Sequence, residues 1–267
     1  MENKVISNKL SDLEKELYEQ MIQSVRDLKG STQIGIAFSG GVDSSLLAKI
    51  TDCLGFDILL LTIGFEDSHD IEFAQKMAKI LGFKHEIEII STKSFPAVAT
   101  KVWNIVKTDN LSWNENSIAF YYISRLAKKH NICKVLTANG IDELFCGYNS
   151  YREAFINGKK AVLEMMDVKL DNEIKMMKAV NTITSEFDVK ILQPFLSNEF
   201  IEFAKKVPLH EKIMDANDLI RKHIVRKIAV SIGVPNESAY KRKKAMQYGS
   251  LIHKNLMKFR KTLSKTF

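Results

Sequence analysis

This sequence predicts an α/β fold on a parallel sheet, followed by a mostly helical C-terminal half. Three observations carry that prediction. Strand-like and helix-like apolar patterns alternate from residue 31 to residue 150. The stretch Asp57-Ile58-Leu59-Leu60-Leu61-Thr62-Ile63-Gly64 is apolar nearly throughout, as befits a strand covered on both faces. A glycine-bearing turn, Ser39-Gly40-Gly41-Val42-Asp43-Ser44, joins a buried strand to an amphipathic helix.

Taken in order, Leu10, Leu13, Leu17, Met21, Ile22 and Val25 form the stripe of a leading helix over 9–29, with Gly30 as its C-cap. Ile34, Ile36 and Phe38 alternate with smaller residues and mark the first strand. Leu46, Leu47 and Ile50 recur at helical spacing, so a helix starts near Asp43. After the strand at 57–64, Ile71 to Leu81 reads as a helix capped by Ser68 or Asp70 and closed by Gly82. His85 to Ile90 gives a third strand, helices follow around 94–107 and 115–130, and Lys134 to Ala138 gives a fourth strand. From Asp142 onward the pattern is almost all helical, with stripes at 152–166, 171–183, 199–206, 216–231 and 247–259. No Gly/Ser-rich linker, repeat or low-complexity segment intervenes. A single domain over 1–267 is expected: leading helix 9–29, α/β core 31–150, helical part 151–267.

The 267 residues are 45% hydrophobic and 27% charged, ordinary for a soluble globular protein. No apolar run approaches the ~18–20 residues of a membrane span, and the first residues lack the apolar core of a signal peptide. Cys53, Cys133 and Cys146 form no C-x-x-C pair, which argues against a zinc site or a disulfide framework. A cytoplasmic, membrane-free location is expected. Net charge is +7, and the excess lies late: no Asp or Glu follows Glu237, while Lys241, Arg242, Lys243, Lys244, Lys254, Lys258, Arg260, Lys261 and Lys265 do. Such a tail suits nucleic acid, a polyphosphate ligand or an acidic partner. A solvated basic helix face is the plainer reading for most of these residues.

Chemistry concentrates at strand ends, because an open parallel sheet binds ligands beyond its carboxyl edge. The turn at 39–45 aims free backbone N–H groups and the positive end of a helix dipole at one point. Its glycines let the backbone approach a ligand, and Ser39, Ser44 and Ser45 add hydroxyl donors. This is an anion cradle sized for phosphate. The common G-x-x-x-x-G-K-[ST] loop is absent. A second strand ends at Ile63-Gly64-Phe65, where backbone groups can flank an adenine ring, and a third runs into Thr137-Ala138-Asn139-Gly140-Ile141-Asp142-Glu143-Leu144-Phe145-Cys146-Gly147-Tyr148.

Ser-Gly-Gly-Val-Asp-Ser resembles the signature of the PP-loop ATP pyrophosphatases, which cleave ATP between the α- and β-phosphates. Asp142 to Tyr148 resembles the Asp-Glu-Leu-Phe-Gly-Gly-Tyr run in the synthetase domain of asparagine synthetases. Phe65-Glu66-Asp67 through Asp70, His85-Glu86, Pro194-Phe195-Leu196 and Arg242-Lys243-Lys244 also look like that family's segments. The resemblance implies a PP-loop, Rossmann-like fold of the adenine-nucleotide α-hydrolase type, using ATP and Mg²⁺. It implies that Ser39, Gly40, Gly41, Asp43 and Ser44 hold the outer phosphates and that Asp43 and Asp142 bind Mg²⁺. In the same way Lys243 offsets charge on departing pyrophosphate, and Leu61, Ile63 and Gly64 line the adenine pocket. The resemblance also implies that Ala138 and Gly140 bind the nucleotide, with Asn139 in the catalytic position between them. An N-cap role for Asp142 is the plainer reading and is compatible with metal binding.

The implied reaction adenylates a carboxylate, releases pyrophosphate and passes the acyl group to ammonia or an amine. No Cys follows Met1 and no glutaminase segment precedes the loop, so a stand-alone synthetase domain is expected. It would use free ammonia, another amine or a separate glutaminase subunit, and a homodimer is compatible. The departures lie on the acceptor side. Asn139 stands where the family has a glutamate, and its amide accepts no proton at neutral pH. Cys146 replaces a glycine, Ser197 an aspartate and Leu192 an arginine. A retained adenylation centre with a changed acyl substrate is expected. Asp109 and Glu115 either receive a cationic group of that substrate or are exposed loop carboxylates. The alternatives are a PP-loop enzyme modifying tRNA or nucleosides, suggested by Cys146 and the basic tail, and a nucleotide-binding partner subunit without turnover.

Overall fold

A computed structural model of the chain describes residues 10–26, 33–242 and 246–263. Strands β1 (Gln33–Ala37), β2 (Asp57–Gly64), β3 (Lys84–Ile89), β4 (Lys134–Leu136) and β5 (Lys190–Leu192) form one sheet, ordered β3-β2-β1-β4-β5, with every pair parallel. The chain builds from β1 out to β3, then returns to lay β4 on the other side of β1. A crevice therefore opens beyond the carboxyl ends of β1 and β4, the switch point where such sheets bind ligands.

The sheet is covered on both faces, which explains the unbroken apolar run of β2. Ile58 and Leu60 join one core with Ile34, Ile36 and Phe38, while Leu59, Leu61 and Ile63 point into the other. Helices α1 (Asp12–Arg26) and α2 (Val42–Cys53) supply Leu17, Met21, Leu46 and Ile50 to the first core. Below the opposite face, α4 (Phe95–Val106) and α5 (Leu111–Lys129) supply Val98, Val102, Ile118 and Ile123. Between them in sequence, α3 (His69–Leu81) ends at Gly82 in the left-handed conformation, as the sequence predicts. Gly30, the expected cap of the leading helix, lies outside the described residues.

The second half departs from the helical expectation at β5, which pairs residue by residue with β4. Three residues are too few for a two-residue period to show in the sequence. The helices here are α6 (Ile141–Leu144), α7 (Ser150–Ile156), α8 (Lys159–Thr184), α9 (Asn198–Lys206), α10 (His223–Ser231), α11 (Asn236–Ala239), α12 (Met246–Gly249) and α13 (Ile252–Leu263). One long helix, α8, takes in most of what reads as two stripes. The stripe expected from 216 begins only at His223, because Asp218 holds the preceding residues in a loop. Its carboxylate accepts from the backbone N–H groups of Met214, Ile220 and Arg221 and from His223 Nε2, at 2.6 to 3.0 Å. Burial pushes the Asp218 carboxyl up, and those bonds nevertheless hold it below the usual range.

The described part of the basic C-terminal stretch, residues 246–263, belongs to the fold. Ile252 and Leu256 are buried against the α4–α5 face while Lys254 and Lys258 face solvent. Phe65 N donates to Ser250 O (3.1 Å), Ser68 Oγ to Gly249 O (2.7 Å), and His253 Nδ1 meets Glu115 at 2.6 Å. Glu115 is thus a buried helical residue paired with His253, neither a loop carboxylate nor one open to a substrate cation. Among the described residues no helix is long and apolar enough to cross a membrane.

Candidate active site at the switch point

Beyond β1, the chain turns through Ser39 and Gly40 and enters α2 with Gly41 at the N-cap. Gly40 has a φ of +72°, and a Cβ there would come within 2.9 Å of Phe73, so both conformation and space demand glycine. Bonds inside the turn keep it shaped: Ser39 N donates to Ser44 Oγ (3.3 Å) and Ser44 Oγ to Gly41 O (3.2 Å). From outside, Ser238 Oγ donates to Gly40 O at 2.7 Å and lies 3.0 Å from Ser45 Oγ. Thr62 Oγ1 donates to Phe38 O at 2.7 Å and meets His85 Nε2 at the same distance. The threonine proton is spent on Phe38, so His85 Nε2 carries the hydrogen in that second bond. Burial lowers His85 to about 4, which keeps it neutral.

Beyond β4, Gly140 leads into the short helix α6. The capping role expected of Asp142 falls to Glu143, whose Oε2 accepts from Gly140 N at 3.0 Å. Tyr148 Oη donates to the other Glu143 oxygen (2.5 Å) and Tyr151 Oη to Glu143 O (2.6 Å). Asp142 is thereby turned toward the β1 loop. There Lys222 Nζ lies 2.6 Å from Asp43 Oδ2 and 2.5 Å from Asp142 Oδ1. Lys222 is 1% exposed, so a single buried ammonium bridges the two carboxylates that the sequence pairs.

Lys222 is held there by an unusual backbone. Arg221 and Lys222 take φ values of 50° and 54°, left-handed conformations that cost about 1–3 kcal/mol each outside glycine. The Arg221 guanidinium donates to Gly147 O (3.1 Å) and Asp218 O (3.0 Å), and Lys222 N donates to Lys212 O (2.6 Å). One turn further along α10, buried Arg226 binds the carbonyls of Arg221, Ile220 and Ala239. Burial pulls the Arg226 guanidinium down, against the opposing field of Asp43 and Asp142. Gly147 completes the enclosure, since a Cβ on it would land on Asp142 Oδ1 and Lys222 Cε.

These parts surround a cavity of about 460 Å³. Ser39, Gly41, Asp43, Ser44, Ala138, Asn139 and Asp142, all singled out from the sequence, line it. Gly40 and Gly140 shape its two loops from behind. Leu61, Ile63 and Gly64 do not reach the wall: the two aliphatic side chains belong to the sheet core, and Gly64 packs on Ser68 and Ile71. The end of β2 is instead covered by residues 249–250. The described C-terminal wall residues include Lys241, Arg242, Met246 and Gln247. Lys243, expected to face pyrophosphate, lies outside the described residues.

The geometry accommodates a divalent metal. Lys222 shows that Asp43 and Asp142 can share one cation, and both offer the hard oxygens Mg²⁺ prefers. Among the described residues no cluster of three or more metal-ligating side chains exists, so phosphate oxygens and water would complete such a shell.

The departures have separate explanations. Ser197 caps α9 by accepting from Phe200 N at 3.3 Å, a task serine performs about as well as aspartate. Cys146 is buried with a φ of 59°, and burial pushes its thiol up to about 12, far from a reactive thiolate. Asn139 accepts from Thr137 Oγ1 and donates through Nδ2 to Glu173 of α8. Lys222, Arg226 and Glu173 are among the wall residues that the sequence reading missed. Arg226 and Glu173 are charged residues inside apolar helical stripes, an irregularity that could have found them, whereas Lys222 lies in the loop before α10 and gives no such signal.

Comparison with known proteins places the chain in a family. The asparagine synthase family profile matches residues 16–178 and 164–266. A Methanocaldococcus jannaschii protein, named provisionally as a glutamine-hydrolysing asparagine synthetase, is 28% identical over 89% of this chain and 49% of its own length. Asparagine synthetase B (glutamine-hydrolysing) of Escherichia coli is 27% identical over 79% of this chain and 40% of its own. The chain thus spans about half or less of the length of these curated relatives. Among solved structures, the NH3-dependent NAD synthetase of Campylobacter jejuni is 21% identical, with a TM-score of 0.37, over 51% of this chain and 60% of that one. With that profile matched over most of its length, the chain belongs to the asparagine synthase family.

Proposed function

We propose that this chain binds Mg·ATP at the switch point, adenylates a carboxylate with release of pyrophosphate, and passes the acyl group to ammonia or an amine. The observation that carries this reading is the convergence of Asp43 and Asp142, from the ends of β1 and β4, on one cation position inside the cavity. Backbone N–H groups of the Ser39–Ser44 turn and the α2 dipole receive the outer phosphates. Lys222, Arg226, Lys241 and Arg242 give that side of the cavity the positive charge that stabilises leaving pyrophosphate. When bound to the two aspartates, Mg²⁺ supplies further neutralisation of phosphate charge. The α-phosphate then faces the β4 end, where Ala138 and Asn139 leave room for the acyl substrate. Free ammonia, an amine or a separate glutaminase subunit provides the nitrogen.

Exchange of labelled pyrophosphate into ATP, run against a panel of carboxylates, tests the reading. Exchange that depends on Mg²⁺ and on one carboxylate other than aspartate is expected. Exchange with aspartate alone would refute the changed substrate, and release of ADP with phosphate would refute adenylation.

A further inference from the structure

The α8 side of the cavity carries a positive group of its own. Val168, Lys169, Asn172, Glu173 and Met176 line the wall there, a single stripe of the helix. Glu173 and Met176 are buried and Val168 is 70% exposed, so the stripe runs from the interior to the mouth. At the inner end Glu173 holds Asn139 of the β4 loop. One turn outward stands the half-buried Lys169. Its ammonium lies 4.8 Å from the centroid of the Tyr148 ring and 5.9 Å from that of Tyr151. The negative faces of the rings steady the ammonium, but they bring no counter-charge. Among the described residues Lys169 makes no hydrogen bond or ion pair. Beside it, Asn172 Oδ1 accepts from Trp113 Nε1 at 2.9 Å. An indole N–H only donates, so the Asn172 amide is fixed with its oxygen toward Trp113 and its Nδ2 donors unspent. Lys169 and Asn172 are three residues apart on one helix, which sets their donors side by side at the mouth. The described carboxylates of the wall, Asp43, Asp70, Asp142, Glu143 and Glu173, all have partners already.

We propose that Lys169 and Asn172 form a carboxylate clamp, and that the acyl substrate is a dicarboxylate without an ammonium group. This rests on the adenylation reading above and names its substrate. One carboxylate is held by the clamp. An oxygen of the other attacks the α-phosphorus, the bond from that phosphorus to the bridging oxygen breaks, and pyrophosphate leaves with the electron pair. A cation with a neutral donor beside it suits a planar anion, whose two oxygens accept one bond each. An ammonium on the substrate meets acids that are already engaged, so receiving it breaks an existing bond and leaves a polar group unpaired. Helix geometry sets the size of the molecule. Lys169 and Glu173 are about 6 Å apart along the α8 axis, which matches an extended chain of roughly four to six carbons.

Pyrophosphate exchange tests the clamp with succinate, glutarate and adipate. Butyrate, valerate and hexanoate match them in length without the second carboxylate, and L-aspartate and L-glutamate add an ammonium. One dicarboxylate is expected to support exchange at least about tenfold better, in kcat/KM, than its monocarboxylate and than either amino acid. In Lys169→Met the KM for that dicarboxylate rises about tenfold or more while kcat stays within about threefold. Lys169→Glu reverses the charge and moves the preference to the ω-amino acid of the same length, in which an ammonium replaces the second carboxylate. Equal loss with every substrate in both variants is the mark of a structural lysine and overturns the clamp. So does a dicarboxylate KM that Lys169→Met leaves in place, or a wild-type preference for an amino acid or a monocarboxylate. Absence of exchange with every carboxylate removes the adenylation reading, a distinct result. Calorimetric titration of the three dicarboxylates into the protein with Mg·ATP then decides the clamp. Binding that Lys169→Met abolishes supports it; no binding to the wild type, or equal binding to the two proteins, overturns it.

Discussion

The two sides of the cavity are built differently. On the phosphate side, the Ser39–Ser44 turn is contiguous in sequence, and the hydroxyls of Thr62 and Ser238 stiffen it by donating to the carbonyls of Phe38 and Gly40. On the acceptor side, Asn139 leans on Glu173 of α8, and the wall is drawn from α5, α8 and the described C-terminal residues. A bound polyphosphate presents the same charges whatever the acyl substrate, so its cradle can be written into backbone. The acceptor side must suit one substrate and is made of side chains that change singly. Asn139 departs from the family there, while Ser39, Gly40, Gly41, Asp43 and Ser44 do not; Cys146 and Leu192 also depart but lie off the cavity wall.

Breaking the phosphate side at its centre gives the largest effect. Lys222→Met leaves two aspartates facing each other without their ammonium and lowers stability by about 3 kcal/mol. Mg²⁺ raises the melting temperature of this variant more than that of the wild type, a comparison that reads metal binding without turnover. Thr62→Val strips the bond that holds Phe38 O and His85, with a cost of about 1–2 kcal/mol in denaturant melts. It also weakens ATP binding several-fold, whereas the acceptor wall is untouched. Smaller still is a pH effect. His85 is lowered from 6.5 to about 4 by burial, so the unfolded chain takes the proton first as pH falls. The stability contributed by the neutral ring is full above pH 6.5, declines between 6.5 and 4, and has gone below that. Discounted for partial exposure, the decline is about 1–2 kcal/mol, and His85→Gln flattens it. Ser197→Ala, on neither side, costs about 1 kcal/mol through the lost cap and leaves pyrophosphate exchange unchanged.

What could be read in advance follows the same division. Four of the five strands, and the loop after β1, are local patterns of period or composition, and the sequence shows them plainly. Strand β5 has only three residues, and nothing local distinguishes it from a loop. Asp142 was legible as an acid of the cavity because its motif is contiguous. Its partner Lys222 comes from a loop whose left-handed residues are set by Asp218, a long-range consequence of packing. The side chains of Leu61 and Ile63, expected beside adenine, lie in the core for a related reason. Alternation along β2 sends both into the core, and which segment covers a strand end depends on where the distant C-terminal helices settle. Glu173 was visible only as an irregularity, a charge on the buried stripe of a long helix.

The central claim is that Asp43 and Asp142 present one cation position to the outer phosphates of ATP. Calorimetric titration of ATP into the wild type and into Asp142→Asn, with and without Mg²⁺, tests it most directly. Tight binding that needs Mg²⁺ in the wild type and loses that dependence in the variant is the predicted result. Equal affinity and equal Mg²⁺ dependence in the two proteins would contradict it.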